Sequence, residues 1–441
     1  MSGMRHLVSI DDLSIGELNQ LFEHARHFSE NLRDSTGACR GFIAASIFYE
    51  PSTRTRLSFE SAMLRLGGGV VTAADMSTSS VAKGESLADT VRVVSGAYAD
   101  ILVLRHPSEG AARLAAKYST VPVINAGDGA NEHPTQTLCD LYTLWIEKGR
   151  IEGLDVVLFG DLRYSRTIHS FVYALARFGA NLVCIPHKGL ELPDYVLKRL
   201  HEEFGASPQA ADVSRLGELA GSSGATYIEL PGPQRSQLHP ESDRGVHLVR
   251  RVDAIYMTRP QTERFADGDS DLDYVSLNPE SMASEALSDA VVMHPLPRRD
   301  EICPDFDADP RAIYFDQAAR GVPIRMAILG MLLGQLDFDA DPTEPKQAEH
   351  SVNQPGNPCP NQGCVSHTEL RQVPPCYRVL GDSPVRAACA YCSRALEAAL
   401  VGELGQEQAF CPDSPKARQI PVERLVFFRG PQEALAAGYT A

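Results

Sequence analysis

From about residue 42 the chain alternates short runs rich in β-branched and aliphatic residues with stretches of helical period. FIAASIFYE gives way to STRTRLSFESAMLRLG, and VVTAAD to GESLADTVRVVSG. ADILVLRH is followed by VPVINA, HPTQTLCDLYTLW, LDVVLFGD and SRTIHSFVYALARFG. Strands separated by crossover helices pair as parallel neighbours, and a parallel sheet needs helices over both faces. The pattern predicts an α/β chain of two doubly wound parallel-sheet domains. The polar stretch IEKGRIEGLD, with its two glycines, marks a boundary near residue 150. On this reading 1–148 is one domain and 149–321 the second, and the apolar helix at about 322–336 returns to complete the first.

Beyond that helix the texture of the chain changes. Residues 337–357, rich in Pro, Asp and amides, read as a linker, and 358–441 form a separate tail. Four cysteines, Cys39, Cys139, Cys184 and Cys303, are scattered through the first three quarters as buried structural thiols usually are. The other six lie between Cys359 and Cys411, and such clustering in a reducing compartment points to a metal before disulfides. Cys359, Cys364, Cys389 and Cys392 form two short pairs whose spacing suits a tetrahedral zinc site in a small β-rich domain. Cys376 and Cys411 are left over as buried thiols.

At 441 residues the chain has room for two or three cores, and its formal net charge of −16 speaks against a nucleic-acid or membrane-surface binder, both of which need a clustered basic face. The tail, with nine Lys or Arg against eleven Asp or Glu from Ala340 onward, also lacks the electrostatic footprint of a nucleic-acid-binding zinc ribbon. MSGMRHLVSIDDLS has no charged n-region leading into a long apolar run, and no stretch has the uncharged length of a membrane span. A cytoplasmic protein acting on small polar substrates is the expectation.

Ligands of open α/β sheets bind beyond the C-terminal ends of the strands. Five polar clusters fall at such positions: Ser52 to Thr55, Arg105 with His106, His133, Asp161 to Arg166, and the HPLPRR run from His294. The first of them, in IFYEPSTRTRLSFE, sets Ser52, Thr53, Arg54, Thr55 and Arg56 at a helix start. Unpaired backbone N–H groups and bidentate guanidinium groups there make an anion cradle. Taken alone, the same residues read equally well as helix caps and a solvated face.

Together these motifs resemble the aspartate and ornithine carbamoyltransferase family over roughly residues 5–336. Ser52-Thr53-Arg54-Thr55-Arg56 looks like its carbamoyl-phosphate signature and His133-Pro134-Thr135-Gln136 like its second motif. The resemblance implies two doubly wound parallel-sheet domains sharing a cleft, a homotrimer with shared active sites, and no cofactor for catalysis. It places Ser52, Thr53, Arg54, Thr55 and Arg105 on the phosphate of carbamoyl phosphate. Thr55, Arg105 and His133 would face the carbonyl oxygen and Gln136 the carbamoyl amide. Ser79 or Ser80 and Lys83, in MSTSSVAKGESLADT, would reach in from a neighbouring subunit. Arg166 and Arg259 match the aspartate branch and would bind carboxylates, with Gln261 assisting and Arg264 positioning its loop. Leu296 and Pro297 would contact the substrates through backbone carbonyls. An ornithine enzyme of this family would carry a cysteine in the motif that here reads His294-Pro295-Leu296-Pro297-Arg298, so L-aspartate is the expected acceptor. Another acceptor such as ornithine, or a non-catalytic scaffold paralogue, is the alternative. Residues 206–251 look longer than the family's segment.

The tail, through NPCPNQGCVSHTE and CAYC, further resembles the zinc domain of the family's regulatory chain, without the nucleotide-binding domain that precedes it there. This implies a docking module that bridges trimers, two of them in the simplest case. Residues from about 395 onward carry no assignment.

Overall fold

The computed structural model describes residues 4–32, 37–74, 76, 83–187, 189–210, 226–229, 246–249, 252–262, 276–283, 287–338, 351–353, 359–369, 373–382 and 385–440. After helix α1 (Ile15–Glu30), whose Ser14 and Glu17 close a capping box, the first sheet is built from β1 (Ile43–Phe48), β2 (Gly69–Ala73), β3 (Ile101–His106) and β4 (Val123–Asp128). All its pairings are parallel, in the order β2-β1-β3-β4. Helices α2 (Thr53–Arg65), α3 (Leu87–Ala97) and α4 (Ala111–Tyr118) make the crossovers, and α5 (Pro134–Lys148) leads out of the domain. Pro134 opens α5, where a missing N–H costs nothing, and Gly149 closes it at φ 68°.

The second sheet has the order β11-β10-β5-β6-β7, from β5 (Asp155–Gly160), β6 (Asn181–Pro186), β7 (Gln209–Ala210), β10 (Ala254–Met257) and β11 (Val291–Met293), again all parallel. Helices α6 (Arg166–Arg177) and α7 (Asp194–Phe204) cross it. The chain runs outward from β5 to β7 and then returns to the other side of β5, so its winding reverses between β5 and β10. In the first sheet the reversal lies between β1 and β3. Ligand crevices of doubly wound sheets open at these reversals.

Within the stretch that looked long, 206–251, only an antiparallel pair, β8 (Thr226–Glu229) with β9 (Val246–Val249), and residues 206–210 are described. The long helix α8 (Tyr314–Leu332) packs against α1, α2 and α5 of the first domain. It begins well before residue 322, because Tyr314, Gln317 and Gly321 are buried and extend its core face by two turns. No helix among the described residues is long and apolar enough to cross a membrane.

Ser351–Asn353, inside the stretch read as linker, form strand β12. It joins β13 (Cys376–Asp382), β14 (Val385–Cys389) and β15 (Ala395–Leu396) in an antiparallel sheet. A short helix, α9 (Val365–Thr368), precedes β13. Residues beyond 395, which the sequence left unassigned, build a second antiparallel sheet, β17-β16-β18, from β16 (Leu400–Glu403), β17 (Ala409–Phe410) and β18 (Leu425–Phe428). A final helix, α10 (Pro431–Ala436), covers it.

This C-terminal module does not hang free. One buried cluster joins Leu87, Val91, Leu102, Leu104 and Leu114 of the first domain to Val365, Tyr377, Tyr391 and Phe427 of the module. The backbone joins as well: Glu109 N–H donates to the Gly363 carbonyl at 2.8 Å, and Val365 N–H donates to the Glu109 carbonyl at 2.8 Å. Gly110 sits at φ +83°, and a Cβ there would meet the Tyr391 carbonyl carbon at 2.4 Å, so only glycine allows the approach. Arg394 lies 3.5 Å from the Tyr195 ring and Arg386 pairs with Glu202 at 2.8 Å, so the module also touches α7 of the second domain.

Candidate functional site

The ends of β1 and β3 lie side by side, with Phe48 opposite Arg105. Ser52 caps α2 by position, yet its side chain makes no cap hydrogen bond, which separates it from an ordinary capping serine. Thr55 is buried in the first turn, and Arg54 points outward. Burial, and then the nearby Arg259 guanidinium, hold Arg54 below the usual arginine range. The charge of Arg259, in the second domain, therefore reaches Arg54 in the first. Arg56, in contrast, turns along its helix to Glu60 at 3.6 Å.

At the centre are two more arginines. Arg105 donates to the Ala126 carbonyl at 3.3 Å, and Arg166, the first residue of α6, donates to the Gly129 carbonyl at 2.8 Å. Gly127, at φ +112°, lies between them: a Cβ there would stand 3.2 Å from Arg166 Cζ and 3.3 Å from Arg105 Nη1. Glu50 holds the pair from the other side, 3.5 Å from Arg105 Nε and 3.3 Å from Arg166 Nη1. The sequence reading passed over Glu50. Its signal was a single carboxylate at a strand end immediately before the arginine run.

His133 occupies the N-cap position of α5 and is buried. Its backbone N–H donates to Ser170 Oγ at 3.1 Å, and its Nδ1 lies 3.4 Å from Thr135 Oγ1. Burial, then Arg166, Arg105 and Arg325, push the imidazole well below its ordinary value, so it is neutral at neutral pH. A neutral imidazole has a single N–H to donate and is a poor acid. Gln136 lies in the next turn and donates from Nε2 to Asp140 Oδ1 at 2.7 Å.

The second domain's contribution is tied together by Asp161, fully buried after β5. Its Oδ1 accepts from Arg163 N–H at 3.1 Å and Tyr164 N–H at 2.9 Å, and its Oδ2 from Gln261 N–H at 2.9 Å. This carboxylate fastens the loop that carries Arg166 to the loop that carries Arg259 and Gln261. After β11, His294 Nδ1 accepts from Leu296 N–H at 2.8 Å, and Leu296 stands at φ 52°, a region that non-glycine residues seldom enter. Lys83 is exposed ahead of α3. Ser79, Ser80 and Arg264 lie outside the described residues.

The second cluster is the cysteine set. The four Sγ atoms of Cys359, Cys364, Cys389 and Cys392 lie within 4.8 Å of one another, all buried. Cys359 and Cys392 are 3.6 Å apart, and Cys364 and Cys389 are 3.7 Å apart. These are far beyond a disulfide bond and close to the ~3.8 Å edge of a tetrahedron with metal–sulfur bonds of about 2.3 Å. Ser366 Oγ donates to Cys364 Sγ at 3.3 Å and His367 Nε2 lies 2.7 Å from the Cys359 carbonyl, contacts that orient the ligand loop. Cys376 is buried, but Cys411, directly after β17, is exposed, contrary to the expectation of a buried thiol.

Two parallel-sheet domains with an arginine-lined crevice at their winding reversals define the class of the carbamoyltransferases. Residues 5–146 match the carbamoyl-P binding domain of the aspartate/ornithine carbamoyltransferases, 235–332 match the Asp/Orn binding domain, and 358–401 match the metal binding domain of the aspartate carbamoyltransferase regulatory chain. The aspartate carbamoyltransferase catalytic subunit of Thermoplasma acidophilum is 46% identical over 335 residues, 75% of this chain and 98% of the relative. That of Methanopyrus kandleri is 46% identical over 336 residues, 75% and 97%. The solved catalytic subunit of M. jannaschii aspartate transcarbamoylase aligns with a TM-score of 0.60 at 43% identity, covering 75% of this chain and 98% of that one. The Trypanosoma cruzi enzyme in complex with carbamoyl phosphate and aspartate aligns with a TM-score of 0.60 at 31% identity, covering 74% and 95%. The chain belongs to the aspartate carbamoyltransferase family, as a catalytic chain that carries a regulatory-chain metal-binding domain at its C-terminal end.

Proposed function

We propose that the cleft transfers the carbamoyl group of carbamoyl phosphate to the α-amine of L-aspartate, giving N-carbamoyl-L-aspartate and phosphate, the committed step of pyrimidine synthesis. The observation that carries this reading is the gathering of Arg105 and Arg166 around Gly127, beside the neutral His133, with Glu50 the carboxylate they share. Like charges held this close are stabilised by an anionic ligand. Ser52, Thr53, Arg54 and Thr55 take the phosphate at the α2 N-terminus, where backbone N–H groups converge. Attack by the amine places negative charge on the carbonyl oxygen, which Thr55, Arg105 and His133 face as fixed donors. One such donor contributes on the order of 10²–10³ in rate. Gln136 faces the carbamoyl amide, Arg166, Arg259 and Gln261 hold the aspartate carboxylates, and the Leu296 and Pro297 carbonyls orient the amine. Holding both substrates in register removes a further part of the barrier.

The trimer, with Ser79, Ser80 and Lys83 lent by a neighbour, is supported by exposed apolar side chains of the first domain: Leu57 and Leu64 on α2, Val71 on the edge strand β2 and Val93 on α3. Zinc is the metal that four buried thiolates at tetrahedral spacing suit best, and it would hold the α9 loop against β14. The face of the module around Gly363 and Val365 is seated on its own chain, so the bridge between trimers is built from its remaining faces. The deciding experiment offers carbamoyl phosphate with aspartate or ornithine separately and detects the carbamoylated product. Turnover with aspartate alone is expected; turnover with neither overturns the reading.

A further inference from the structure

Asp140 lies one turn beyond Gln136 on α5, fully buried in the seam where both domains and α8 meet. Its Oδ1 accepts from Gln136 Nε2 at 2.7 Å and from Gln317 Nε2 at 2.7 Å, and its Oδ2 accepts from the Tyr256 hydroxyl at 2.7 Å. Three donors from three elements therefore converge on one carboxylate. Oδ1 meets the two amides and Oδ2 only the phenol, so a proton taken up by the carboxyl sits on Oδ2 and donates to the Tyr256 oxygen, and in either state each amide must present its NH2 end to Oδ1. For Gln317 the consequence is visible at the other end of the same amide: Oε1 accepts from His294 N–H at 2.9 Å, and His294 in turn holds Leu296. For Gln136, Nε2 is committed inward, and Oε1 has no partner among the described residues.

We infer that Asp140 is a specificity-determining positioning residue: by holding Gln136 Nε2 it turns Gln136 Oε1 toward the cleft, and so selects a phosphate donor whose carbonyl carries an NH2 group. This rests on the proposed placement of Gln136 against the carbamoyl amide. An amide free to flip would offer either end, and the site would lose its distinction between an NH2 and a methyl group of nearly the same size. With the flip blocked, an acyl phosphate bearing methyl leaves Gln136 Oε1 without a donor, and a polar group stranded in this way discriminates far better than a difference in volume.

The test compares carbamoyl phosphate with acetyl phosphate, which differs from it by that one group. The quantity read is the Ki of acetyl phosphate as a competitor divided by the KM of carbamoyl phosphate, with aspartate saturating. Both constants are independent of the fraction of protein that is folded. Asp140→Ala is expected to lower this ratio by about tenfold. Asp140→Asn should keep it within about threefold of the parent, because the Asn Oδ1 still accepts from both glutamines while its NH2 group donates to the Tyr256 oxygen. If Asp140→Ala fails to fold, Asp140→Ala with Tyr256→Phe removes the stranded phenol and reads the same ratio. Gln136→Ala separates the roles of the two residues. A ratio lowered by Gln136→Ala and untouched by Asp140→Ala overturns the inference and leaves the Gln136 placement standing. A ratio that Gln136→Ala does not move overturns both. A merely structural Asp140 would lower stability in all its variants without this dependence on the retained oxygen.

Discussion

The anion cleft and the four-cysteine site both crowd groups of one kind into a small volume, by opposite means. The cleft draws Arg54, Arg105, Arg166 and Arg259 from four separate segments of two domains and balances them only partly, with Glu50 bridging the central pair. The cysteine site uses two short local pairs, buries all four thiols and surrounds them with the sheet β12-β13-β14-β15. A site that must bind and release substrate stays open and electrostatically unsaturated. A site that holds one ion permanently is closed, and the fold depends on it. On the proposed reading, catalysis falls to the first and stability to the second.

Removing the metal ligands should produce the largest effect. Cys389→Ser with Cys392→Ser is expected to abolish bound metal by elemental analysis and to unfold the module, a loss on the order of 10 kcal/mol of metal-linked folding energy. Carbamoyl transfer should remain measurable, and a variant that keeps its metal breaks the comparison. Arg54→Ala should act in the opposite sense, lowering turnover by about 10²–10³ with the thermal transition unchanged. Near-normal turnover would refute the phosphate cradle.

Phe427→Ala tests the join between the regions. Its ring is fully buried in the cluster shared by the module and the first domain, so truncation should cost about 3–5 kcal/mol in chemical denaturation. Acid response gives a finer contrast. Burial pushes Asp140 up to about 7 and His169 down to about 4. Between pH 7 and the ordinary carboxylate range, the folded state binds Asp140's proton more tightly than the unfolded chain, so this group adds stability as pH falls. His169 does the reverse, since below pH ~6.5 the unfolded chain takes a proton that the fold refuses. Asp140→Asn removes the first contribution alone, and its melting temperature should fall several degrees more than the parent's between pH 7.5 and 5.5. Equal slopes would contradict the assignment. Arg394→Ala, which loses the contact with Tyr195 and the 3.7 Å pair with Glu109, should shift stability by about 1 kcal/mol or less.

The strand and helix alternation made both parallel sheets legible, because buried strands between crossover helices leave no other arrangement. His133, Arg105 and Arg166 were legible because each stands at a strand end or helix start within a long motif. Glu50 and Asp140 were not. Their roles depend on which loops the winding reversal brings together, and a carboxylate four residues after Gln136 reads in one dimension as an ordinary helix polar group. Glu109 escaped for the same reason: its partners Gly363, Asn361 and Arg394 lie some 250 residues away in a different module. Tertiary convergence, unlike periodicity, leaves little trace in local spacing.

Seating the module on Glu109 and Gly110 of its own chain changes how the contact responds to concentration. Between separate chains such an interface would be set by dissociation constants and would empty on dilution. Joined through one backbone, the two faces see each other at an effective concentration that short tethers hold in the millimolar range. Weak contacts such as the Arg394–Tyr195 stack then suffice, and occupancy no longer depends on how much protein the cell makes.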